Sequence, residues 1–176
     1  MSKAVLISVR PKWCELIAKG KKIVEIRKSR PKIETPFKCY IYCTLKGGNE
    51  FFKNTLNGNM SEWDKGNWGF KKGKVIGEFV CDEIETLRRN TVFNAPALYS
   101  QSCLNRDEYF DYIGNKTAYI WHISDLKIYY GPKKLSKFSH YKKVDWWDYG
   151  HHTNKPQWEL RYLERPPQSW CYVEEY

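Results

Sequence analysis

The chain has 176 residues, 30 Lys and Arg against 20 Asp and Glu, and a formal net charge of +10, with 8 Trp, 13 Tyr and 8 Phe. That length suits one domain with a real core; no stretch approaches the ~18 apolar residues of a membrane-spanning helix, and the start M-S-K-A-V-L-I-S-V-R lacks the apolar run of a secretory signal. The charge is uneven: residues 1–47 carry twelve Lys/Arg and three Glu, and residues 132–143 carry five Lys and no acid, a distribution that suits a polyanionic partner or serves only solubility, with a membrane surface the weakest match.

In chain order, Ala4 to Val9 is a short apolar run that predicts a first strand. Pro11 fits a first helical turn, where its missing N–H costs nothing, and Gly20 fits the residue just past the helix end. Pro11 to Lys19 therefore reads as a helix of barely two turns, too short to persist without tertiary packing through Trp13. Ile23 to Arg27 returns as a strand, and the polar segment 28–38, with Pro31 and Pro36, connects it onward. Cys39, Ile41, Cys43 and Leu45 alternate with Tyr40, Tyr42 and Thr44, as in a strand covered on both faces.

Residues 46–73 form a Gly- and Asn-rich excursion with a short helix expected near Phe51 to Leu56. Its Trp63, Trp68 and Phe70 either wall a ligand site or pin the loop to the core. Lys74 to Cys81 is a strand, and Gly77 inside it signals a bulge or a close backbone approach. Glu78 in the same strand needs a partner if it is buried. Asn105 to Ile113 carries the strongest helix signals: an Asn cap, Glu108 three residues later, and Gly114 at the end. Thr117 to Ile123 and Leu126 to Tyr130 read as strands, residues 131–157 as a basic and then wet segment, and the tail around Trp170 and Tyr172 as a final edge strand. Six or seven short strands and two or three short helices, without long crossover helices, predict an α+β fold. Its expected form is a small, mostly antiparallel curved sheet or β-barrel with short peripheral helices.

The six cysteines include no C-x-x-C, so reduced, mostly buried thiols in a cytoplasmic protein are expected. No H-E-x-x-H, P-loop, G-x-S-x-G or dinucleotide fingerprint occurs, nor the H-x-E with P-C-x-x-C of zinc deaminases. Neither a cofactor nor a metal is expected.

The stretch G-K-K-I-V-E-I-R, Gly20 to Arg27, carries the most chemistry. Glu25 and Arg27 are two apart and share a strand face. Lys22 has the opposite parity and reaches them only if the turn at the strand start allows it. A glutamate flanked by two cations stays ionised and accepts from a base amino group. Arg27 offers a planar fork to phosphate, carboxylate or a base edge. Lys22 is the candidate base or nucleophile, with Glu25 beside it as the second catalytic candidate. The same cluster also reads as a structural ion-pair network.

These residues match position by position a G-x-K-x-x-E-x-R signature, and the chain thereby resembles the ASCH domain of the PUA-like superfamily. Ile7 to Trp13, residues 74–81, the stretch from Trp121 to Tyr129 with Lys134, Leu135, Ser136 and Phe138, and the tail P-P-Q-S-W-C-Y-V also look like ASCH proteins of bacteria and their phages. The resemblance implies one domain spanning residues 1–176, with a core at about 4–138 and a basic, aromatic extension at 139–176. It implies a PUA-like barrel and a cleft at the helix-to-strand junction. Ser8, Arg10, Lys12, Gly20, Lys22, Glu25, Arg27 and Tyr40 are then the candidate ligand-binding residues. Three functions follow as expectations. The first is an RNA- or nucleotide-binding module reading a base in a basic cleft. The second is a metal-independent hydrolase acting on RNA or a modified nucleoside such as N4-acetylcytidine, although that amidohydrolase branch carries threonine where this chain has Glu25. The third is a protein-interaction module of phage origin, using Trp146, Trp147 and the segment around His151. Whether the protein is an enzyme, and its oligomeric state, stay open at this level.

Overall fold

A computed structural model describes residues 3–45, 72–87, 96–144 and 157–176. Residues 46–71 of the excursion, with its expected helix and its aromatics, lie outside these residues, as do Trp146, Trp147, His151 and His152.

Strand β1 (Lys3–Val9) is buried along nearly its whole length. It is central to a five-stranded sheet, which is why its apolar run does not alternate. It pairs antiparallel with β10 (Trp170–Glu174) on one side and parallel with β3 (Phe37–Cys43) on the other. Beyond β3 lie β4 (Lys74–Cys81) and β7 (Ser124–Lys133), giving the order β10-β1-β3-β4-β7. Helix α1 (Pro11–Ala18) and strand β2 (Val24–Arg27) make up the crossover between the parallel strands. The helix begins at Pro11 and ends in a Schellman motif. Gly20 takes φ +67, Gly20 N–H donates to Ile17 O at 2.8 Å, and Lys21 N–H donates to Leu16 O at 2.9 Å.

Strand β2 does not join the main sheet. It pairs with β6 (Ala118–His122), which pairs with β5 (Ile84–Leu87). Val24 and Ile26 face helices α2 (Pro96–Ser102) and α3 (Arg106–Ile113), in a cluster with Leu98, Tyr109, Ile113 and Ile120. Strand alternation then turns Glu25 and Arg27 the other way, toward the main sheet. There the largest core cluster holds Val5, Ile7, Val9, Cys14, Ile17, Cys39, Ile41, Cys43 and Trp121. The opposite face of the main sheet carries Leu6, Tyr40, Tyr42, Val75 and Phe138. A short 3₁₀ turn (Leu135–Lys137) leads into a separate hairpin of β8 (Ser139–Val144) and β9 (Gln157–Tyr162).

The α+β class holds, but the expected barrel does not. Among the described residues the strands fall into sheets of five, three and two, and none of these closes or curls on itself. Closure needs a consistent stagger that brings the outermost strands together. Here β2 leaves for β6, and β10 and β7 end the main sheet without meeting. The pairing is mostly antiparallel, as expected, with β1 and β3 the parallel exception among the described strands. Among the described residues no helix is long and apolar enough to cross a membrane.

Candidate functional site

Lys22, Glu25 and Arg27 are 3%, 7% and 5% exposed, a degree of burial that charged side chains reach only when paired. The Schellman turn at Gly20 delivers Lys22 to Glu25 despite its opposite parity: Lys22 Nζ lies 3.3 Å from Glu25 Oε2, and Arg27 Nη2 lies 3.1 Å from Glu25 Oε1. One carboxylate thus sits between two cations in the space between the two sheets.

Backbone carbonyls complete the cations' shells. Lys22 Nζ donates to Ser102 O at 2.8 Å, at the end of α2, where the helix dipole favours a positive charge. It also stands 5.2 Å from the centre of the Trp13 ring, within cation–π range. Arg27 Nη2 donates to Ser8 O at 2.8 Å, and Nη1 reaches Ser169 O and Oγ at 3.3 and 3.4 Å. Two polar atoms of the cluster remain without a hydrogen-bond partner: Glu25 Oε2, near Lys22 but not aligned for a bond, and Arg27 Nε.

The other candidates divide by location. Ser8 belongs to the cluster through its carbonyl, while its hydroxyl donates to Pro167 O at 2.6 Å. Arg10 is exposed at the N-cap of α1. The Lys12 ammonium stands 4.3 Å from the centre of the Trp13 ring and pairs with Glu108 at 2.9 Å, tying α1 to α3. That contact and the hydrogen bond from Asn105 N–H hold the Glu108 carboxyl below its ordinary range. Tyr40 lies on the far face of the main sheet. It is fully buried against Phe138, and its hydroxyl accepts from Tyr176 N–H at 2.8 Å.

Three contributors carry little sequence signal. Ser102 acts through its main-chain carbonyl and Ser169 in part through its own, a group every residue type possesses, although Pro96 at the first position of α2 marks that helix start. Tyr112 on α3 is 38% exposed; desolvation pushes its hydroxyl above the ordinary range, and Arg27, Glu25 and Arg10 all lie within electrostatic reach of it. The Lys28 ammonium stands 4.8 Å from its ring. Tyr112 therefore forms a rim beside the buried charges.

No protein-family model matches the chain, and no curated protein matches it. Solved structures do. An ASCH protein from Zymomonas mobilis matches with 20% identity over 92% of this chain and 88% of that one, at a TM-score of 0.54. Two single-substitution variants of the Zymomonas protein match with 21% and 20% identity over 76% and 92% of this chain and 77% and 89% of theirs, at TM-scores of 0.53 and 0.54. At these identities the likeness concerns the fold, and over most of its length this chain has the fold of an ASCH-domain protein.

Proposed function

We propose that the protein binds RNA or a nucleotide and reads one base at the Lys22–Glu25–Arg27 cluster. The observation that carries this reading is a pair of buried polar atoms with unused hydrogen-bonding capacity: Arg27 Nε, and Glu25 Oε2, which is ion-paired with Lys22 but accepts no hydrogen bond. Buried groups of this kind call for a partner. A carboxylate acceptor beside a guanidinium donor complements the hydrogen-bonding edge of a base, which offers amino or imino donors next to acceptors. In this reading the base enters past Tyr112, and Arg10, Lys12 and Lys28 supply positive charge for its phosphate. The concentration of basic residues in the first 47 positions supports it, as does the ASCH fold, whose members are generally proposed to bind RNA.

Recognition is favoured over catalysis by Lys22. A carbonyl oxygen, a carboxylate and a π face are all partners of an ammonium, whereas a nucleophile or base needs its lone pair free. The test is equilibrium binding of cytidine monophosphate against its N4,N4-dimethyl derivative at low salt. Blocking the edge leaves buried groups unpaired, at ~1–3 kcal/mol, so the derivative binds at least about fivefold more weakly. Equal affinity removes Glu25 and Arg27 from base reading, and no binding of either nucleotide overturns the proposal.

A further inference from the structure

A second feature lies away from the buried cluster. The β8–β9 hairpin stands beside β10, and between them runs a groove of about 630 Å³ lined in part by Lys3, His140, Tyr141, Trp158, Tyr172 and Glu174. On one face of the hairpin the register places Tyr141 opposite Leu160, Lys143 opposite Trp158 and Ser139 opposite Tyr162. This face is aromatic and open: Trp158 is 61% exposed, Tyr162 60%, Leu160 42% and Tyr141 40%. A two-stranded hairpin has little stability to spare for displaying such side chains to water.

We propose that this groove holds a single-stranded stretch of RNA, with a base stacked on Trp158 and phosphates against Lys143 and Lys3. Two observations select this occupant. The first is charge complementarity. The aromatic surface carries cations: Lys143 lies opposite Trp158, and Lys3 stands 6.0 Å from the Tyr172 ring. Of the nearby acids, Glu159 is held by Arg161 at 2.8 Å, which leaves Glu174 at the lining. Stacking platforms combined with a basic track suit single strands of any sequence. The second is continuity. Ser169, which contacts Arg27, immediately precedes β10, and Tyr172 and Glu174 of β10 line the groove. Trp170 and Tyr172 lie between, with their rings 5.5 Å apart. Five residues of strand span about 17 Å at ~3.3–3.4 Å each, roughly the reach of five stacked nucleotides. One strand of RNA can therefore place a base at the buried cluster and a later base on Trp158. This inference rests on the RNA reading above and extends it from one base to a short single strand.

The experiment compares the full-length protein with its Trp158→Ala, Trp158→Phe and Lys143→Ala variants, titrated with a single-stranded ten-nucleotide RNA and with a mononucleotide. Trp158→Ala is expected to weaken the oligomer at least about fivefold, with Trp158→Phe restoring most of the loss. Lys143→Ala is expected to flatten the log–log salt slope by about 0.7. Mononucleotide affinity should stay unchanged throughout. If the oligomer binds the wild type and Trp158→Ala alike, the groove assignment falls while the RNA reading stands. If no oligomer binds the wild type at low salt, the groove assignment falls, and the reading at the buried cluster falls with it only if the mononucleotide also fails to bind. Trp158-dependent binding of poly-glutamate without RNA binding overturns the assignment in favour of a protein ligand. Circular dichroism of each variant reports its folding, which the exposure of Trp158 protects.

Discussion

Glu25 holds two buried cations in balance, so its removal is felt through what it leaves behind. Glu25→Ala strands Lys22 and Arg27 with only carbonyls and a ring for company, and loss of one partner from a buried pair costs ~3–5 kcal/mol. Replacing all three residues together, as Lys22→Met, Glu25→Leu and Arg27→Leu, is expected to cost much less, because no orphaned charge remains. Urea unfolding of the single and triple variants separates the two, and equal losses show that the charges act independently. Part of this arrangement was legible. The spacing of two put Glu25 and Arg27 on one face, and the glycine at position 20 marked the turn. The arrival of Lys22 was not legible, because it depends on how the chain leaves a Schellman motif rather than on strand parity. Glu78 is only half-buried, so the condition on its needing a partner is not met, although it accepts a hydrogen bond from the Tyr129 hydroxyl.

Two glycines illustrate how elements depend on backbone in different ways. At Gly20 an added Cβ meets nothing within 4 Å, so Gly20→Ala costs only the left-handed backbone, ~1–2 kcal/mol. At Gly77 the Cβ lands 2.5 Å from Lys127 O and 3.1 Å from Ile128 Cα, both main chain. Gly77→Ala must push β4 and β7 apart, and we expect it to lose more stability than Gly20→Ala in thermal unfolding. The reverse order contradicts the close approach. Gly77 sits where the β4–β7 register shifts, as a lone glycine in an apolar strand suggested. The capping box at Asn105 was legible as well, and both of its hydrogen bonds form. Short elements with mixed composition were not: β5, α2 and the lysine-rich β8 present no period that separates them from loop. The barrel expectation failed for a related reason. Alternation reports that a segment is a strand, but not which sheet it joins, and β2 forsakes its sequence neighbours for β6.

Across the whole molecule, apolar burial keeps titratable groups protonated. Desolvation pushes the Cys81 thiol up to about 12 and Cys171 to about 11, from an ordinary 9.0. Cys14, Cys39 and several tyrosines, Tyr129 among them, shift in the same direction. The unfolded chain therefore sheds thiol protons from about pH 9 while the folded chain retains them. Stability is full below that pH and falls as pH rises toward 12. The urea midpoint at about pH 10.5 should lie below that at about pH 8, and an unchanged midpoint excludes the desolvated thiols.

The pairing of β1 with β10 also bears on how the protein emerges from the ribosome. The guanidinium of Arg27 is bonded to Ser169, 142 residues later. At 5–20 residues per second, synthesis leaves that contact unmade for roughly 7 to 30 seconds. For the same interval the edge of β1 that β10 will cover is an open template for other nascent strands. A chain interrupted before Ser169 retains every residue from Gly20 to Arg27 yet lacks both the serine that holds the arginine and the strand that covers this edge of β1, so the charge cluster closes only once synthesis has passed β10.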